Sequence, residues 1–331
     1  MMKFALGAIA ALLFVACSPV DSRVQMTNQG PAQGSTYSIS YLVPEGVDYR
    51  SGIDSILKAM DQQMSLWVPA SEITRLNSGD SILLSADFAA VVKRSIDLAA
   101  STKGNFDITV APVVKAWGFS GGQYRDSVNI DSLMQFVGSQ KLTMPEADIR
   151  YGLPKGMQLD VNGVAQGYTV DLIKQYLESH SIKDYLIEVG GEVVCKGKNA
   201  AGRNWRIGID KPEESRSEGM FQTIVELDTM ALATSGNYRK YWVNDKGQKV
   251  VHTIDPQNGM PVVSTLLSAS VIAPDATLAD ALGTAAMVMG EQKALPYLEA
   301  LPKVEAYLIT STKLGELKVI KTSGWSKYEL D

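Results

Sequence analysis

Cysteine and histidine each occur only twice in the 331 residues, as Cys17, Cys195, His180 and His252. So few exclude a disulfide framework and fall short of the clustered ligands that a Cys/His zinc site needs. A basic excess is also missing. The 31 Lys and Arg stand against 36 Asp and Glu, a net charge of −5, which argues against nucleic acid as a partner. Neither a Walker loop nor G-x-G-x-x-G is present, so the usual nucleotide folds are not indicated. No fixed-period repeat or low-complexity tract breaks up the chain, and no apolar run reaches the roughly 20 residues of a membrane span.

What is there is ordinary globular material, 45% hydrophobic and 20% charged. It follows a leader: a basic start at Met1–Lys3, then an unbroken apolar or small run from Phe4 to Ala16. Residues 1–16 read as a secretory signal. Phe14-Val15-Ala16-Cys17 resembles a bacterial lipobox, which predicts lipid on Cys17 and a chain tethered to the bilayer on the periplasmic side of the cell envelope. A plain cleaved signal with a free Cys is the alternative. Residues 17–33 are polar and predict a tether, and 34–331 one compact body.

Within that body, alternation predicts a strand at Ser35–Tyr41, and helical spacing predicts helices after Ser51, from Asp87 to Ser101, and after Gly163 to about His180. From Tyr185 onward short β-rich runs dominate: 185–189, 192–195, 205–209, 221–227, 249–253 and 267–272. A helix over Thr277–Met289 and strands near 304–309 and 317–321 close the chain. The class is α+β, with mixed or antiparallel sheets and packed helices.

Five stretches stand out chemically. Trp67 follows a helix in a polar, Pro-containing turn, where it stacks on a planar ring or serves as a core or hinge side chain. Gly104-Asn105-Phe106-Asp107 precedes a β-run, a place where Asn and Asp often merely cap turns. Asp160-Val161-Asn162-Gly163-Val164-Ala165-Gln166-Gly167 feeds a helix, either as an anion cradle or as a simple connection. His252 sits in a tight polar turn, His252-Thr253-Ile254-Asp255-Pro256. Asp280 and Thr284 stand at i and i+4 on the last predicted helix, a hard oxygen pair suited to Mg²⁺, unless Thr284 merely bonds back to the Asp280 carbonyl. A Ser55-x-x-Lys58 also matches penicillin-interactive serine enzymes, a pattern expected by chance.

Together with Gly34-Ser35-Thr36-Tyr37, Trp117-Gly118-Phe119, Gly190-Gly191-Glu192, Ala233-Thr234-Ser235-Gly236-Asn237-Tyr238 and Ala279-Asp280-Ala281-Leu282-Gly283-Thr284, these stretches resemble the ApbE-type flavin transferases. The resemblance implies a T-fold-like catalytic body over 34–331 that moves FMN from FAD onto a Thr or Ser hydroxyl of an acceptor protein, with Mg²⁺ and release of AMP. It implies Asp280, Thr284 and the carbonyls of Gly163 and Gly283 around the metal. Gln33, Trp67, Asn105, Phe106, Asp107, Asp160, Gln166 and Ile254 are implied to line FAD, with His252 as base and Asp160 as a further candidate. The acceptors implied are subunits of envelope redox pumps. Gln33, Trp67 and Gln166 depart from the family's frequent residues, which leaves FAD hydrolysis to FMN and AMP as an alternative. A lipoprotein that binds flavin without catalysis is another, since binding and catalysis share most of these residues.

Overall fold

The computed structural model describes residues 23–124, 128–145, 149–212, 221–238, 241–245, 247, 249–312 and 314–330. The signal, Cys17 and the start of the expected tether lie outside the described residues.

The chain opens with a hairpin, β1 (Val24–Ala32) and β2 (Ser35–Val43), closed by Gln33-Gly34. Both turn residues have positive φ, +49° and +75°, the backbone sign of a type I′ turn that follows strand twist. The expected tether is thus corrected over Val24–Ala32. Its polar side chains suit an edge strand, exposed on one side, and composition alone does not separate the two.

Next come α1 (Arg50–Met64), α2 (Glu72–Asn77), β3 (Ile82–Leu83), α3 (Ala86–Ser101), α4 (Ala111–Ala116), α5 (Ile130–Met134), β4 (Arg150–Tyr151) and α6 (Ala165–Ser179). The Ser85 side chain caps α3 by accepting from the Phe88 N–H. The second half contains β5 (Tyr185–Val189), β6 (Glu192–Lys196), β7 (Trp205–Asp210), β8 (Phe221–Leu227), β9 (Met230–Gly236), β10 (Tyr241–Val243), β11 (Lys249–Val251) and β12 (Leu266–Ala273). It ends with α7 (Ala276–Met289), α8 (Glu291–Glu299), β13 (Glu305–Ser311) and β14 (Leu317–Lys321).

Eight strands form the main sheet in the order β1-β2-β5-β6-β9-β12-β13-β14, and every neighbouring pair is antiparallel. They succeed one another in chain order, so every other element is an insertion between neighbours. One face carries α1 and α6, through Ile39, Ile187 and Ile173, and α7 and α8, through Val271, Leu282 and Leu298. The other face is covered by the β7–β8 ribbon and Trp325. A further cluster joins α1, α3 and residues 157–164 to Ala281 and Ala285 of α7. α7 is therefore apolar nearly all round and sits between the sheet and the outer helices.

Several elements are absent from the sequence reading, among them β9 and α8. β9 is a central strand although Thr234 is its one β-branched residue in Met-Ala-Leu-Ala-Thr-Ser-Gly, because β6 and β12 pair with it on both sides. α8 holds Pro296 yet persists, with Ala294 and Leu298 buried on the sheet side.

Candidate active site

α6 and α7 touch at a point the sequence prepares twice. Asp171 of α6 accepts from the Ala276 N–H at 3.0 Å, the Thr277 N–H at 2.9 Å and the Thr277 hydroxyl at 2.6 Å, so one helix caps the other. Gly167 makes the close approach possible. A Cβ there would stand 2.3 Å from the Ala276 carbonyl oxygen and 2.9 Å from Asp280 Cβ. Its N–H donates to Asp280 Oδ2 at 3.1 Å.

Asp280 is buried and, among the described residues, forms no ion pair. Burial pushes its carboxyl up to about 7, against the pull of the Gly167 N–H. One turn on, the Thr284 hydroxyl has no hydrogen-bond partner among the described residues. Thr169 on α6, by contrast, bonds back to the Ala165 carbonyl at 2.7 Å, the habit Thr284 does not follow. Gly163 faces Thr284, and a Cβ on it would lie 2.8 Å from Oγ1. Gly283 lies inside α7 with its α-carbon toward Ser235 and Ala269, on the sheet side.

The turn and the last long helix therefore converge on a buried carboxylate, an unengaged hydroxyl and nearby backbone. Among the described residues no three His, Cys, Asp or Glu gather as a metal cluster. A carboxylate, a hydroxyl and carbonyls form a hard-oxygen set, the kind that completes a Mg²⁺ shell with waters and substrate phosphates. A divalent cation would also offset the cost of ionising Asp280 where it is buried, so the residues fit that group.

The start of α6 is more than a connection, though not a free anion cradle. Val161 and Asp280 already accept from the N–H groups of Ala165 and Gly167, so the Asp280 carboxylate takes part of the place of an anion.

Beside this centre, bonds to three described residues help fix Asp160. Its N–H donates to the Ile108 carbonyl at 2.7 Å, Oδ2 accepts from the Ser120 hydroxyl at 2.6 Å, and Oδ1 accepts from the Asn162 N–H at 2.9 Å. His252 meets the edge of Phe119, ring centroids 6.3 Å apart. The two candidate catalytic residues thus flank the Phe119-Ser120 loop. Ile254 is buried with Val113, Val114 and Val137 beneath that loop.

Gln33 reaches from the β1–β2 turn to α6, donating from Nε2 to Thr169 Oγ1 at 2.7 Å, and its buried Oε1 has no partner among the described residues. Gln166 lies over the β5–β6 turn, where a Cβ on Gly190 would meet its Nε2 at 2.0 Å. Trp67 is 66% exposed, which overturns the core reading and leaves its face open for stacking.

The 105–107 turn is more committed than expected. Asn105 Nδ2 donates to the Thr102 carbonyl and Phe106 packs in the core. The Asp107 carboxylate accepts from the backbone and hydroxyls of Thr109 and Ser139, at 2.6 to 2.8 Å. These side chains hold the turn together. Ser55 and Lys58 lie on the exposed side of α1.

Sequence reasoning missed Ser120 and the role of Gly167. A glycine three residues into an amphipathic helix was the available signal for the second. For Ser120, whose φ is +49°, the sequence carries none.

The sequence model of the ApbE family matches residues 33–308. The chain is 35% identical over 326 residues to an FAD:protein FMN transferase of Vibrio cholerae, covering 95% of this chain and 96% of that one. It is 33% identical to one of Escherichia coli K12, covering 86% of each. Among solved structures, the flavin transferase ApbE of V. cholerae superposes with a TM-score of 0.79 at 32% identity, covering 92% of this chain and 99% of that one. The apo flavinyl transferase ApbE of Pseudomonas stutzeri superposes with a TM-score of 0.81 at 31% identity, covering 92% and 96%. With the family match running from the β1–β2 turn through the Phe119-Ser120 loop and the α6–α7 contact, the chain belongs to the ApbE family.

Proposed function

We propose that this chain transfers FMN from FAD to a Thr or Ser hydroxyl of an acceptor protein and releases AMP. The observation that carries the reading is the buried Asp280 carboxylate, without an ion pair among the described residues, set beside the open Thr284 hydroxyl and the Gly163 turn. Asp280, Thr284 and the carbonyl of Gly163 would hold Mg²⁺, with that of Gly283 adding to them. When bound, the ion supplies charge neutralisation for the diphosphate and for the departing AMP.

The chain's own residues do the rest. Gln33, Trp67, Gln166 and Ile254 border the space for FAD, and the 105–107 turn closes it. The acceptor oxygen forms a bond to the FMN phosphorus while the bond from that phosphorus to the AMP oxygen breaks. His252 takes the hydroxyl proton, since neutral imidazole is a base matched to neutral pH. Asp160 already accepts two hydrogen bonds, so it orients ligand rather than receiving the proton.

Water in place of the acceptor hydroxyl gives FMN and AMP from the same centre. Incubation with FAD, Mg²⁺ and a Thr-containing acceptor, read by covalent flavin fluorescence on a gel and by AMP release, separates the readings. Both signals support transfer, AMP alone supports hydrolysis, and neither leaves flavin binding alone.

The acceptors we propose are subunits of envelope redox pumps, reached by a protein anchored to the bilayer through lipid on Cys17. Labelled fatty acid incorporated by the wild type and lost in Cys17→Ala is the expected result. Equal labelling of both refutes the anchor.

A further inference from the structure

Lys115 is a charged group that the mechanism above does not use. It lies on α4, and the extended segment 157–161 runs past it. In that segment Met157, Leu159 and Val161 are buried while Gln158 and Asp160 are less so, which places Gln158 and Asp160 on one face. The Lys115 ammonium donates to Gln158 Oε1 at 3.0 Å, and Gln158 is held in turn by donating to the Asn77 carbonyl at 3.0 Å.

That neutral amide is the one hydrogen-bond partner the ammonium has among the described residues. It makes no ion pair within 4 Å there, although the Asp160 charge is close enough to act on it. Burial lowers the Lys115 pKa, and Asp160 opposes that. A half-buried cation paired only with an amide has two donor protons left over and a solvation cost that its protein partner does not repay. An incoming anion meets both needs. Asp160 leads through Asn162 to Gly163 and so to Thr284 and Asp280, which puts Lys115 on the rim of the same centre.

Building on the proposed FAD function, we infer that Lys115 recognises the diphosphate bridge of the bound dinucleotide, contributing a charge-assisted hydrogen bond to it. The ligand class is a nucleoside diphosphate or its ester, and a flavin without phosphate gains nothing from this residue.

The test is equilibrium binding of FAD, ADP and riboflavin to the full chain and to its Lys115→Met and Lys115→Arg variants, with thermal melting of each. Lys115→Met is expected to weaken FAD and ADP about 10- to 100-fold, the loss of one charge-assisted bond. Riboflavin binding is expected to change less than about threefold, and Lys115→Arg to restore most of the affinity, since guanidinium also pairs with phosphate. Equal weakening of FAD and riboflavin, or unchanged FAD and ADP binding, overturns the assignment. A melting point lowered in Lys115→Met and not recovered in Lys115→Arg, with all three ligands weakened, overturns it in favour of a structural role. Wild-type protein that binds ADP but not FAD sinks the proposed function, while loss of ADP binding in Lys115→Met still supports this assignment.

Discussion

Gly167→Ala isolates the contact between α6 and α7. In a helix interior the exchange by itself stabilises by about 0.5–1 kcal/mol, because alanine loses less backbone freedom on folding. Here the new methyl would stand 2.3 Å from the Ala276 carbonyl oxygen and 2.7 Å from its carbon, both backbone atoms. Ordinary contact begins near 3.4 Å, so the helices must part by about 1 Å. Overpacking of that kind costs about 1–3 kcal/mol, so the net expectation is a loss of about 1–2 kcal/mol. The same parting lengthens the 3.1 Å bond from the Gly167 N–H to Asp280 and carries Thr284 away from the Gly163 turn. A displacement of about 1 Å at a reacting centre lowers the rate roughly 100-fold. Denaturant unfolding measures the first effect, and Mg²⁺-dependent AMP release from FAD, assayed where the variant is fully folded, measures the second. A variant more stable than wild type with undiminished AMP release refutes both the packing argument and the site built on it.

Three further outcomes follow from named contacts. Asp280→Asn removes a buried charge without an ion pair among the described residues, so the metal-free protein should be at least as stable as wild type at pH 8, while Mg²⁺-dependent FAD cleavage falls by about 100-fold or more. Calorimetric melting in chelator and the AMP assay check the two halves. Asp171→Ala strands two N–H groups and a hydroxyl at the start of α7 and should cost about 2–3 kcal/mol in urea unfolding, a larger loss than that of an exposed cap. Burial pushes the Cys195 thiol up to about 12, so above about pH 9 the unfolded chain releases a proton that the folded chain keeps. This contribution makes stability fall as pH rises through that window. Cys195→Ala should flatten the alkaline decline, and a thiol reagent at pH 8 should label Cys195 only after denaturant is added.

Much of the fold was legible because local rules and tertiary packing agree. Ser85 caps α3 as its residue type suggests, and Gly290 closes α7 at φ +70°. The strands at 185–189, 221–227 and 317–321 occupy the expected residues. Where the two conflict, the sequence misleads. β1 reads as a tether because an edge strand can be polar, and β9, with Thr234 as its one β-branched residue, is held as a strand by pairing on both sides. α8 is absent from the sequence reading, and burial of Ala294 and Leu298 holds it despite Pro296 inside it.

The sequence by itself determined the α+β class, most strand and helix positions, and the i, i+4 spacing that sets Asp280 and Thr284 on one helical face. Those properties depend on residues within a few positions of each other. Only the tertiary structure decided that Gly163 meets Thr284, that Gly167 and Asp171 lock α6 against α7, that Asp107 is spent on Thr109 and Ser139, and that Lys115 lies beside Asp160. Such pairings join residues distant in the chain, and which of them form depends on how the helices pack over the whole sheet.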